Sequence, residues 1–287
     1  MFSLLCFFGL VAVTVAQKCP LQFDGRVPSS AALTSFDSSS SLFNPTYNLG
    51  ANLKWSDVLL FPSVDASLFD ANGTKAVEVT INDKSIFTPS ATDAQTGFRR
   101  AELMPASNTG TDPSTTGIKT VHFSVMKDST RPLNTSHEYQ LFFLESSDYS
   151  TNQVVLKYGT IIGGNSGANP DSLFLVGNVN SNPVKTIYSA RFTPSVWHNF
   201  GITIDFNKGT TQVYYSTNGD ALKSTGAAVT NNVAGQGEYH FGILKKPTGG
   251  GSDITKSGFQ EKGINEGVVF GGIFEEDSTG GCISLKP

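Results

Sequence analysis

The sequence predicts an all-β protein built from two packed antiparallel sheets. Three observations carry that expectation: patterned segments alternate with period two, helical periodicity is nearly absent, and turn-forming stretches separate the alternating segments. Successive side chains of a strand point to opposite faces, so apolar/polar alternation marks a strand with one buried face. Val77, Val79 and Ile81 alternate with Glu78, Thr80 and Asn82, and Val121, Phe123 and Val125 with Thr120, His122 and Ser124. Phe200, Ile202, Ile204 and Phe206 alternate with Asn199, Gly201, Thr203 and Asp205, and Tyr239, Phe241 and Ile243 with Glu238, His240 and Gly242. Turn residues cluster at 108–117, 163–171, 207–209 and 247–252. Many strands with this punctuation fit a jelly-roll or lectin-like sandwich whose polar face forms a groove.

The chain opens with the uncharged apolar run Met1 to Ala16, which ends on small residues and reads as a secretory signal. Residues 17–287 then form one domain, since no linker-like stretch divides them. Of three cysteines Cys6 belongs to the signal. Cys19 and Cys282, at opposite ends, are expected to form one disulfide in an oxidising compartment. The sequons at Asn72 and Asn134 agree with secretion and place both asparagines at the surface. A formal charge of −4 offers no basic field for nucleic acid, and no basic cluster marks a membrane surface. A neutral polymer is the expected partner, and a monomer the expected state.

Two segments carry the candidate chemistry. In Phe98-Arg99-Arg100-Ala101-Glu102-Leu103, Phe98, Arg100 and Glu102 share a strand face; in His137-Glu138-Tyr139-Gln140-Leu141-Phe142-Phe143, strict alternation puts Glu138, Gln140 and Phe142 on one face, with Leu141 and Phe143 opposite. Glycosidic hydrolysis needs one carboxylic acid to protonate the leaving oxygen and one carboxylate as nucleophile or base. Glu102 and Glu138 are the candidate pair, with Arg100 and Gln140 as supporting groups. Arg100 favours the charged form of Glu102, leaving Glu138 as the acid. His240, on the polar side of its strand, is the candidate histidine. His198 shares a face with Phe200 and reads as packed. Trp55, Trp197, Tyr47, Tyr149 and Tyr158 are candidate sugar platforms, Tyr47 and Trp55 foremost because of their turn-rich surroundings. Glu275-Glu276-Asp277 reads as a solvated charge run. No His-Glu-x-x-His pattern indicates a metal, and no cofactor is expected.

Phe98 to Leu103, Val121-His122-Phe123-Ser124-Val125, Leu133 to Gln140, Trp197-His198-Asn199-Phe200 and Gly237 to Pro247 resemble the fungal β-glucanases of glycoside hydrolase family 131. The likeness runs from Phe23-Asp24-Gly25-Arg26-Val27 to Gly271–Ser278. It implies a single β-jelly roll, hydrolysis of β-1,3-, β-1,6- and β-1,4-linked glucans, and a catalytic pair at Glu102 and Glu138 with a histidine, placed on His240. The Arg-x-Glu-Leu strand is also similar to one in jelly-roll polysaccharide lyases, where Arg100 and Gln140 would neutralise a uronate. A non-catalytic glucan-binding module is the third alternative.

Overall fold

The structure, a computed structural model, describes residues 19–286 except 71, 72, 165 and 166. The expected signal and the sequon at Asn72 lie outside the described residues. Among the described residues, helix is confined to the turn Trp55–Val58 and the short 3-10 turns Leu33–Asp37 and Pro113–Thr115. The rest is a β-jelly roll of two large antiparallel sheets, with a small two-stranded one pairing Val27–Pro28 with Thr74–Lys75. The larger runs Lys223–Ser224, Thr210–Thr217, His198–Asp205, Ile118–Lys127, Asn265–Asp277, Val77–Asn82, Leu59–Leu60, with Leu21–Asp24 beside Asn265–Asp277 and Val229–Thr230 beside Thr210–Thr217. The smaller, six-stranded sheet runs Thr186–Arg191, Ser172–Val176, Asn152–Gly159, Glu138–Ser146, Gly237–Lys245, Arg99–Leu103.

The alternating apolar residues turn inward and meet in one core. Val121, Phe123 and Val125 of the larger sheet pack with Phe200, Ile202 and Ile204 against Phe142, Tyr239, Phe241 and Ile243 of the smaller. Phe123 stacks on Phe142 at 4.6 Å between centroids and meets Phe241 edge-on at 5.7 Å. Each such ring contributes roughly 1.5–3 kcal/mol through burial, which is why the period-two pattern dictates the sandwich. Cys19 and Cys282 form the expected disulfide, with Cα atoms 5.6 Å apart, alongside the pairing of Leu21–Asp24 with Asn265–Asp277.

Two expectations are corrected. Glu275 and Glu276 are not solvated, because they fall inside the strand Asn265–Asp277 and are buried on both of its faces. Glu276 pairs with His122 at 2.8 Å; Glu275 lies by Tyr239 and Ser114, with its carboxyl pushed well above the ordinary range by burial. The second correction concerns Glu138–Ser146. A bulge between Gln140 and Phe142 interrupts the pairing with Asn152–Gly159, and Leu141 and Phe142 both enter the core. Parity flips beyond that point. Phe143 therefore leaves the core and joins Phe98, Val155, Val176 and Leu244 on the outer face of the six-stranded sheet, the face of Glu138 and Gln140.

Candidate active site

The outer face of the six-stranded sheet gathers Arg100, Glu102 and His240. Ala101 and Leu103 fill the core, so their neighbours Arg100 and Glu102 face outward. Arg100 closes on Glu102 as a bidentate pair, with Nε 2.8 Å from Oε1 and Nη2 2.5 Å from Oε2. Its remaining Nη1 donates to Gln95 Oε1 at 3.0 Å, and its guanidinium lies over Phe87. Gly242 lies opposite Glu102 on the next strand; a Cβ there would stand 2.1 Å from the carbonyl oxygen of Ala101, so only glycine permits this approach. Burial alone would raise the Glu102 pKa, but the charge of Arg100 and the hydrogen bonds from His240 and Arg100 outweigh it and hold the carboxyl below its ordinary value.

His240 lies two positions from Gly242 on that strand, with its ring stacked on Phe143 at 4.1 Å. Its Nδ1 is 3.1 Å from Glu102 Oε2, and the Asn48 amide lies 3.1 Å from the same nitrogen. An ionised carboxylate only accepts, so it favours the tautomer with the proton on Nδ1. That leaves Nε2 with its lone pair, and no hydrogen-bond partner for it occurs among the described residues. Nε2 lies 3.5 Å from Oε2 of Glu145, whose side chain is 26% exposed. Glu102, His240 and Glu145 thus form a chain from a sealed carboxylate to an open one. Glu238 sits directly across from Glu145 on the neighbouring strand, with its carboxyl raised by burial against the opposing effect of His240, and further by the charges of Glu145 and Asp112.

The family profile described as "Glycoside hydrolase 131 catalytic N-terminal domain" matches residues 21–281. The chain belongs to glycoside hydrolase family 131. Two solved structures share its fold. The GH131 beta-glucanase catalytic domain from Podospora anserina superposes with a TM-score of 0.70 at 22% identity, covering 93% of this chain and 98% of that one. The catalytic domain of the glycoside hydrolase family 131 protein from Coprinopsis cinerea gives 0.68 at 22% identity, with the same coverage. A sequence comparison with curated proteins finds no match.

In this family 131 domain Glu138 is not brought to Glu102. Glu102 lies opposite Gly242, whereas Tyr139 lies opposite Lys245, further along the strand that separates them. From strand rise and spacing, the Cα atoms of Glu102 and Glu138 are on the order of 15 Å apart. Glu138 is fully buried between Lys246 at 2.7 Å and Lys157 at 3.0 Å, and it accepts from the Ile162 N–H. Burial would raise its pKa, but the two lysines hold it below the ordinary value, against the expectation of an acid there. Gln140 is buried beside it and accepts from Asn152. Trp55, expected as a sugar platform, is wholly buried, with its indole N–H donating to the Asn44 carbonyl, and it offers no face to a ligand. Tyr47 is 58% exposed, on the segment that pairs with the outer edge of Arg99–Leu103 through the Glu102 N–H and the Asn48 carbonyl.

His198 is packed as expected, its Nδ1 2.6 Å from Tyr215 Oη, and burial lowers its pKa to about 4. Asn134 is exposed and donates to Glu261 at 3.1 Å. The residue that sequence reasoning missed is Glu145, which strict alternation puts opposite Glu138. The available signal was the unbroken apolar run Leu141-Phe142-Phe143-Leu144, which a regular half-buried strand does not contain. A cavity of about 800 Å³ lies elsewhere, lined by Trp197, Met126, Glu78 and Arg131. Asp65, Glu78 and Asp128 all line it; Glu78 is held bidentately by Arg131 at 2.7 and 2.6 Å, and Asp128 pairs with the same guanidinium.

Proposed function

We propose that this domain is a secreted β-glucanase, hydrolysing β-1,3-, β-1,6- and β-1,4-glucosidic linkages of cell-wall glucans on the face that carries Glu102, His240 and Glu145. The observation that carries the reading is the run of contacts from Arg100 through Glu102 and His240 to the open carboxyl group of Glu145. Membership of family 131 and the likeness to a structure described as a β-glucanase support the choice of substrate. The terminal disulfide and the apolar start of the sequence support secretion.

The chemistry follows from the charge distribution. Glu102, sealed and ionised, fixes the imidazole, whose buried Nε2 is turned towards the partly exposed carboxyl group of Glu145. Glu145 delivers a proton to the departing glycosidic oxygen. Glu238, raised towards its protonated form by burial, lies directly across from Glu145 on the neighbouring strand. Arg100 acts through Glu102, and Tyr47 offers an exposed ring to a sugar face. Glu138 and Gln140 are assigned a structural role, at the buried junction with Lys157 and Lys246. The lyase alternative loses its main support, because both forks of Arg100 facing Glu102 are already engaged and unavailable to a uronate.

The test is a product assay on a β-1,3-glucan, a β-1,4-glucan and a polyuronate, following new reducing ends and ultraviolet absorbance together. Reducing ends from the glucans without absorbance are expected. Absorbance from the polyuronate would replace hydrolysis with elimination, and retention on a glucan column without products would leave only a binding module.

A further inference from the structure

Tyr149 leaves 70% of its surface exposed and holds a backbone φ of 58°. A bulky residue in the left-handed region carries strain that glycine would not. The turn does not need the ring. The Tyr149 N–H donates to the Ser146 carbonyl at 2.8 Å, Ser146 Oγ donates to Asp148 at 2.7 Å, and the Ser150 N–H and hydroxyl both donate to Asp148. No hydrogen bond of the tyrosine hydroxyl occurs among the described residues. A strained, uncovered aromatic that contributes nothing to its own turn is costly to stability unless something outside the fold uses it.

Its position indicates what that is. The turn directly follows Glu145 and Ser146, and Ser147 ties it to the Gly235 carbonyl in the turn just before the strand that bears Glu238 and His240. The Tyr149 hydroxyl is close enough to Glu238, Glu145 and Tyr47 for all three to push its ionisation upward, Glu238 most. Tyr47 stands beyond the edge strand Arg99–Leu103, on the segment whose Asn48 carbonyl accepts from the Glu102 N–H. Two exposed tyrosines therefore bracket the open carboxylates.

We propose that Tyr149 is a substrate-binding platform which, with Tyr47 beyond the edge strand, holds a glucosyl ring over Glu145 and His240; the inference rests on the glucanase reading above. The apolar face of a β-linked glucosyl unit stacks on the ring, and the sugar edge meets the carboxylates.

The experiment compares wild type with Tyr149→Gly, Tyr149→Phe and Tyr149→Trp, by steady-state hydrolysis of a soluble β-1,3-glucan and by thermal unfolding. Tyr149→Gly is expected to unfold at or above the wild-type temperature, because its backbone strain is relieved. Its KM should rise about tenfold, the scale of one aromatic contact, with kcat changed less than about threefold. Tyr149→Phe and Tyr149→Trp should keep KM within about threefold of wild type. An unchanged KM in Tyr149→Gly, or a loss of stability that Tyr149→Phe restores without any change in KM, would overturn the platform while leaving the glucanase intact. A wild-type protein that neither hydrolyses nor binds any β-glucan would overturn both.

Discussion

Glu102 and Glu275 are both buried glutamates, and their surroundings push them in opposite directions. Glu102 has Arg100 and His240 against it and titrates below its ordinary 4.5, so the stability it contributes is present above that value and lost as pH falls through the folded pKa. Burial dominates at Glu275 and raises it well above 4.5; its favourable contribution exists below that value and disappears as pH rises towards the folded pKa. Glu275→Gln should therefore raise the thermal midpoint at about pH 7–8, with the gain vanishing near pH 4. Unfolding curves of both proteins across that range check this, and a difference independent of pH would contradict it. The Arg100–Glu102 contact was legible in the sequence because residues two apart on a strand share a face. The fate of Glu275 was not, since three adjacent acids look alike until the strand assigns them to faces. Trp55 was misjudged for a related reason: with no periodicity around it, nothing in the sequence showed which way the indole points.

At the scale of the element, one bulge decides the active face. Without it, Phe142 would lie beside Glu138 and Glu145 would point into the core; with it, Phe142 fills the core and Phe143 supports His240. Phe142→Leu is expected to lower stability by about 1–2 kcal/mol, as a shape change in a packed core, with little effect on kcat. Phe143→Leu should lower kcat several-fold, because the imidazole loses the ring against which it stacks. Denaturant unfolding and glucan hydrolysis of the two variants separate these effects, and the reverse pattern would restore strict alternation. Most strands were legible because each repeats its signal over several residues. A bulge is a single inserted residue that shifts the phase of everything after it, so positions beyond Leu141 are mirrored.

The whole molecule is a sandwich whose described ends are joined by one covalent staple. The disulfide closes a loop of 263 residues, and Cys282→Ser or chemical reduction should cost about 2–5 kcal/mol, read from denaturant unfolding under oxidising and reducing conditions. Equal stability in both would remove that role. The fold and the cysteine pairing were readable from composition, alternation and position. The proposed constellation was only half readable, because Glu102 and His240 keep strict alternation along their strands whereas Glu145 lies beyond the bulge in Glu138–Ser146. The central claim is that hydrolysis runs through Glu102, His240 and Glu145, with Glu138 structural. It is tested most directly by glucan hydrolysis of folded Glu145→Gln beside folded Glu138→Gln. Glu145→Gln should lose at least about 100-fold in kcat, while Glu138→Gln keeps near wild-type kcat with reduced stability. An inactive, folded Glu138→Gln together with an active Glu145→Gln would contradict the account.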